Sequence, residues 1–174
     1  MQKFFPKLKL KDVCLLALFT ALYVVFSQIL SFRAGPVKIG FSFIAVAFAA
    51  YLYGVTGGVI AAGLGDFIGA LLFPVGGAYF AGFTLSAALT GAIYGVALKS
   101  RKYSILSAFL AVIPSQVICS LFLNTIFNVI LYDAGFVAFL IKRLVQFAVM
   151  VPLQIILMHL LIKLAGKRLE NEIK

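Results

Sequence analysis

A chain of 174 residues that is 64% hydrophobic and 11% charged has the composition of a membrane protein. That length and composition exclude a second, soluble domain, so we expect one membrane-embedded domain over residues 1–174. The net charge of +10 does not indicate nucleic-acid binding, because most Lys and Arg residues flank apolar runs in three clusters, at residues 3–11, 99–102 and from 163 onward.

Six apolar stretches are predicted to cross the membrane as helices. They cover residues 12–30, 41–53, 56–72, 83–98, 105–131 and 136–164. Lysines precede the first stretch as in a signal peptide, but it is long enough to span and we expect it to be retained. Because basic clusters face the cytoplasm, the predicted fold class is an all-α integral membrane protein of six transmembrane helices with both termini cytoplasmic.

The first predicted helix carries two features at its cytoplasmic half. Asp12 is expected to cap its N-terminus, where the helix dipole favours a carboxylate. Ala17 and Ala21 form a small-xxx-small pair that could pack against another helix, although one such pair is weak evidence in an Ala-rich segment. Cys14 and Cys119 are predicted to be apolar packing residues without a disulfide.

The first outer loop, residues 31–40, carries Arg33 and Lys38 around a Gly-Pro turn. Together with Lys142 and Arg143 they are the basic residues outside the three cytoplasmic clusters. A cation on the outer side or inside the membrane needs a compensating interaction. We therefore interpret these residues as the electrostatic half of a site for an anionic small molecule, with Lys142 the one most simply explained as an interfacial cation.

Small residues recur at every fourth position in the third and fourth predicted spans, and intramolecular helix packing explains them best. The two stripes consist of Gly57, Ala61, Gly65 and Gly69, and of Ala87, Gly91 and Gly95. Asp66, in the same third span, is interpreted as a structural contact at a close helix crossing, such as an acceptor for a neighbouring helix.

Aromatic side chains crowd the second outer loop and the start of the fourth span. Tyr79, Phe80 and Phe83 lie there beside Thr84. One interpretation is an interfacial aromatic belt, and the other is a stacking surface for a flat heterocycle. Both interpretations stay open from the sequence.

Amide and basic side chains share faces of the last two spans. Gln116, Ser120, Asn124 and Asn128 recur every four residues, and amides in lipid need partners from neighbouring helices or a ligand. We expect Asn124 and Asn128 to line a ligand site. Arg143 and Gln146 share one face of the last span, and their planar groups suit carboxylates or heterocycle edges.

Several chemistries lack their usual motifs. The sequence has no phosphate-binding loop, no HExxH, no GxSxG and no Cys/His cluster, and His159 stands without companions for a metal. We therefore expect no catalytic residue, no metal site and no cofactor.

The chain resembles the substrate-binding S components of energy-coupling factor (ECF) vitamin transporters, most closely their folate-specific FolT family. The resemblance covers nearly the whole chain and is carried by ALFTA, GLGDFIGALLFPVGGAYFAGFTLSAALTGAIYG, LNTIFNVILY and KRLVQFAVMVPLQ. It implies a subunit of the prokaryotic cell membrane that binds one vitamin from outside. It also implies a transmembrane coupling subunit (EcfT-like) that meets Ala17 and Ala21, and two cytoplasmic ATPase subunits that use the ATP.

Folate agrees with the residues as well as with the resemblance. Its flat pterin suits aromatic and amide groups, and we expect the pterin deep, near Asn124, Asn128, Arg143 and Gln146. Its two carboxylates suit the basic first outer loop. The alternatives are an S component for thiamine or riboflavin, an intramembrane enzyme acting on a lipid phosphate, and a channel-forming oligomer.

Overall fold

Long apolar runs become helices because lipid offers the backbone no hydrogen-bond partners outside the segment itself. In the computed structural model of this chain, the described residues are 9–34, 37–73, 79–99, 104–132 and 136–166. The elements in chain order are α1 (Leu10–Gln28), β1 (Phe32–Ala34), β2 (Val37–Ile39), α2 (Ser42–Leu72), α3 (Ala81–Leu98), α4 (Ile105–Ser115), a π-helical segment (Gln116–Leu123), α5 (Asn124–Tyr132), α6 (Phe136–Leu161) and a second π-helical segment (Ile162–Gly166).

Within the described residues, five helical stretches are long and apolar enough to cross a membrane. They are Leu10–Gln28, Ser42–Leu72, Ala81–Leu98, Ile105–Leu131 and Arg143–Leu164, with mean hydropathies between 1.5 and 2.1. Among the described residues, the only strands are β1 and β2, which pair antiparallel in the connection between α1 and α2. The protein is therefore helical with the composition of a membrane protein, as the sequence predicts.

The long helix α2 is interrupted at Gly54, whose backbone has φ +68° and ψ −145°. In a straight helix the Cα atoms of residues 49 and 57 would lie about 12 Å apart. Instead, a Cβ added to Gly57 would lie 2.3 Å from the carbonyl oxygen of Ala49. The chain therefore folds back on itself at Gly54, between the second and third predicted spans.

Both small-residue stripes pack inside the protein, as the sequence analysis expects. A Cβ on Gly65 would meet the ring of Tyr23 in α1, and one on Gly95 would meet the backbone of Val55. The tightest approach joins α2 to α3, where Gly58 and Gly91 lie backbone against backbone. These contacts pack α1 and α3 closely against α2.

Gly91→Ala is expected to lower stability, because the new Cβ would lie 2.1 Å from the Gly58 carbonyl oxygen. Backbone on both sides leaves no side chain to give way, so we expect a loss of about 1–3 kcal/mol, measured as a lower melting temperature in detergent. Gly63→Ala is the matched control, since its Cβ would meet the Cβ of Ala88 at 3.4 Å. Equal melting temperatures for the two variants would contradict this packing.

Candidate functional site

A cavity of about 260 Å³ opens among α1, α2, α3, the first π-helical segment and α6. Its lining mixes hydroxyl, amide and aromatic groups with two charged residues, Asp66 and Arg143. The uncharged polar members are Tyr23, Ser27, Gln28, Ser42, Ser86, Thr90, Tyr94, Ser115, Gln116, Ser120, Asn124, Gln146 and Gln154. The cavity can therefore offer a bound molecule hydrogen bonds along its whole length and a positive group from α6.

Four of the residues predicted to bind the ligand come together in this lining. Phe83, Asn124, Arg143 and Gln146 all border the cavity. Arg143 is partly buried, and its Nη1 donates to the Gln146 Oε1 at 3.5 Å. The i, i+3 spacing on α6 thus brings guanidinium and amide side by side, as the shared helix face predicts.

Asn128 does not border the cavity. Its side-chain amide donates instead to the backbone carbonyl of Asn124, one turn earlier in the same helix. The four-residue spacing gave both residues one face, but this local hydrogen bond directs the Asn128 amide nitrogen toward its own helix.

Tyr79, Phe80 and Thr84 lie behind the cavity wall. The Tyr79 hydroxyl donates to Thr84 Oγ1 at 2.9 Å, and the Thr84 hydroxyl donates to Asp66 Oδ2 at 2.9 Å. Phe80 packs its ring edge against Phe83, with centroids 5.7 Å apart. These residues support the lining residues Asp66 and Phe83 from outside.

Phe127 in α5 completes the aromatic cluster, with ring centroids 5.4 Å from Phe80 and 6.0 Å from Phe83. Phe127 was not predicted from the sequence. The partners of Phe127 lie more than forty residues earlier in the chain, and sequence spacing does not predict contacts over that distance.

The β1–β2 hairpin brings the backbones of Arg33 and Lys38 directly opposite each other. The side chains of Arg33, Lys38 and Lys142 lie outside the described part of the structure. Gly40, which follows the hairpin, borders the cavity. The basic loop therefore connects directly to the cavity wall.

Asp66 has more contacts than a single helix crossing. Besides accepting from Thr84, its carboxylate interacts with the Tyr23 hydroxyl, so α1, α2 and α3 meet at this group. The expectation of a structural contact between helices is thus confirmed. Asp66 also borders the cavity, which the sequence did not indicate.

Ala17 and Ala21 do not border the cavity and lie on the exposed side of α1. They border an apolar groove between α1 and the second half of α2, together with Leu64 and Ile68. Their small side chains form part of a surface that another helix could approach closely.

The two cysteines are free, Cys14 exposed and Cys119 buried in the cavity wall. Within the described ranges, no three His, Cys, Asp or Glu side chains are grouped so that they could hold a metal ion.

Comparison with known proteins places this architecture among transporter subunits. The family described as "ECF transporter, substrate-specific component" matches residues 11–162. The folate transporter FolT of Clostridium novyi (strain NT) is 35% identical over 151 residues, which cover 87% of both chains. FolT of Leuconostoc mesenteroides is 32% identical, covering 87% of this chain and 84% of that one. A crystal structure of FolT bound with folic acid has a TM-score of 0.81 at 30% identity, covering 88% of this chain and 93% of the other.

Proposed function

This chain belongs to the family of ECF transporter substrate-specific components, and we propose that it is a folate-binding member that captures folate from outside the cell. The observation that carries this proposal is the cavity itself, which joins the Arg143 guanidinium to a run of amide and aromatic groups. The structural similarity to FolT bound with folic acid, with a TM-score of 0.81, supports folate as the ligand of this chain.

Folate has matching groups at its two ends. Its glutamate carboxylates suit charge-assisted hydrogen bonds from Arg143, and the basic hairpin residues Arg33 and Lys38 can add to the attraction. Its flat rings suit Phe83 and the amides of Asn124 and Gln146. We assign indirect roles in folate binding to the other four predicted site residues that the structure describes. Three of them contact lining residues or one another behind the wall, namely Tyr79, Phe80 and Thr84, and Asn128 donates a hydrogen bond within its own helix.

The site and the relatives argue against three alternative functions. Thiamine is a cation, and Arg143 together with the basic hairpin would repel it. Riboflavin is neutral and lacks carboxylates for the guanidinium. An enzyme acting on a lipid phosphate is less well supported, since the relatives are transporters.

We further propose six spans with both termini in the cytoplasm, in a single domain of the cell membrane. The reversal at Gly54 divides α2 into two spans. The Tyr53 hydroxyl donates to Asp12 Oδ1 at 3.3 Å, and the Lys99 ammonium donates to the Tyr53 carbonyl at 3.5 Å. The start of α1, the Gly54 turn and the end of α3 therefore share one end of the molecule, to which the positive-inside rule gives the cytoplasmic side.

Uptake then depends on other subunits. We propose that a transmembrane coupling subunit (EcfT-like) packs on the groove at Ala17 and Ala21, and that two cytoplasmic ATPase subunits supply the energy. The chain itself needs no cofactor under this proposal.

The test is the ultraviolet absorption of the protein purified in detergent from cells grown with folate. We expect the pterin spectrum of a co-purified folate, released on denaturation. A flavin spectrum would contradict folate as the substrate. So would a ligand-free protein that binds neither folate nor 5-formylfolate at micromolar concentration.

A further inference from the structure

Two glutamines from distant parts of the chain pair at the cavity wall. Gln116 Nε2 donates to Gln154 Oε1 at 2.8 Å, and both residues border the cavity. Gln154 is only 4% exposed. From the sequence, Gln116 was expected on the amide face of its span without a ligand role, and Gln154 was not predicted to be functional.

The backbone around the pair is unusual on both helices. Each glutamine lies two residues after a proline, Pro114 in α4 and Pro152 in α6, which removes a helical N–H donor. Gln116 also begins the first π-helical segment. π-helical insertions occur frequently at functional sites, where they redirect side chains.

The pair keeps unused hydrogen-bonding capacity. A glutamine amide has one acceptor oxygen and two N–H donors. The mutual hydrogen bond engages the Gln116 nitrogen and the Gln154 oxygen, which leaves the Gln116 oxygen as an acceptor and the Gln154 nitrogen as a donor. Polar atoms within a membrane-spanning segment need partners, and at a cavity wall a bound molecule can provide them.

The pair lies at a fixed distance from the positive group of the site. Gln154 follows Arg143 by eleven residues on α6, which corresponds to about 16 Å along a helix. The cavity thus has a guanidinium at one place and a neutral donor–acceptor pair about three turns deeper. That arrangement suits an elongated ligand with carboxylates at one end and a hydrogen-bonding ring at the other.

We propose that the Gln116–Gln154 pair recognises the pyrimidinone edge of the pterin ring. The ring N3–H donates to the Gln116 oxygen, and the C4 carbonyl accepts from the Gln154 nitrogen. This assignment rests on the proposed folate function. The sequence predicted pterin recognition by Asn124, Asn128, Arg143 and Gln146. In this proposal the pterin edge lies deeper in the cavity than those four residues, and Arg143 binds the carboxylates.

The test uses Gln116→Met and Gln154→Met, which keep side-chain length and remove the polar atoms. The full-length protein in detergent is titrated with folate and with pteroate, which carries the same pterin but no glutamate. We expect each variant to lower the affinity for folate and the affinity for pteroate by the same factor, about tenfold or more. The double variant should lose about as much as one single variant, because the pair acts as a unit.

Thr125→Val is the control, since Thr125 is fully buried in α5 and does not border the cavity. Unchanged folate affinity in both Met variants would overturn the proposal, even if their melting temperatures fall, because the pair would then serve only to join helices. A loss of affinity for folate with unchanged affinity for pteroate would also overturn the proposal, because the pair would then contact the glutamate tail and not the pterin. If the wild-type protein binds neither ligand, the folate function fails together with this inference.

Discussion

Replacing Arg143 with Ala is expected to weaken folate binding by more than tenfold. The guanidinium borders the cavity beside Gln146, partly buried, where water screens it poorly. Hydrogen bonds to charged groups contribute about 1.5–3 kcal/mol, and about 1.4 kcal/mol corresponds to tenfold in affinity. Calorimetric titration of the detergent-solubilised protein with folate measures the change.

Lys163→Ala is the control for this prediction, because Lys163 is an exposed cation near the opposite end of the last span. It removes the same formal charge without touching the cavity, so its folate affinity should match the wild type. Pteroate gives a second check, since it lacks the two glutamate carboxylates and keeps only the carboxylate on its aminobenzoate ring. The difference in affinity between Arg143→Ala and wild type should therefore be smaller for pteroate than for folate. Wild-type folate affinity in Arg143→Ala would remove this residue from the site.

Ala17→Trp is expected to abolish folate uptake into cells while leaving folate binding intact. The indole would fill the groove between α1 and α2 that Ala17 shares with Ala21, and so hold a packing helix away. None of the groove residues borders the cavity, so the site itself should keep its affinity. Radiolabelled uptake in cells, compared with titration of the purified variant, separates the two effects.

Ile156→Trp serves as the matched control for uptake. Ile156 is 62% exposed on α6, away from the groove, and the same bulky side chain there should leave transport unaffected. If Ala17→Trp transports folate at the wild-type rate, the coupling subunit does not use this surface. If it loses folate binding as well, the two surfaces are not independent.

Hydropathy predicts the helices of this chain well because each span must satisfy its own backbone in lipid. The predicted spans 83–98 and 105–131 end at the same residues as the structure's helical stretches, and the first begins within two residues of Leu10. The gap between spans 41–53 and 56–72 coincides with Gly54. The β1–β2 pairing was not predicted, because a Gly-Pro turn fixes neither strand length nor register.

Site residues could be predicted from the sequence only where a charge in an apolar span or a helical spacing of polar residues marks them. Arg143 stands out as a cation in an apolar span, and Gln146 and Asn124 share helix faces with other polar residues. Gln154 is one amide in an apolar run, and its partner Gln116 lies 38 residues away. Only the packing of α4 and its π-helical extension against α6 joins them.

Asn128 and Asp66 show the opposite limits of pattern reasoning. Asn128 fits the four-residue spacing, yet a local hydrogen bond turns its side chain back to its own helix. Asp66 has the hydroxyl partner expected at a helix crossing, yet it also borders the cavity. Spacing predicts which helix face a residue occupies, but not what the neighbouring helix presents to that face.

The most direct test of a cavity built for an anionic vitamin is titration of the ligand-free wild-type protein with folate and, separately, with thiamine. We predict saturable one-to-one binding of folate at submicromolar concentration and no measurable binding of cationic thiamine. Tight binding of thiamine, with folate failing to compete, would contradict the account.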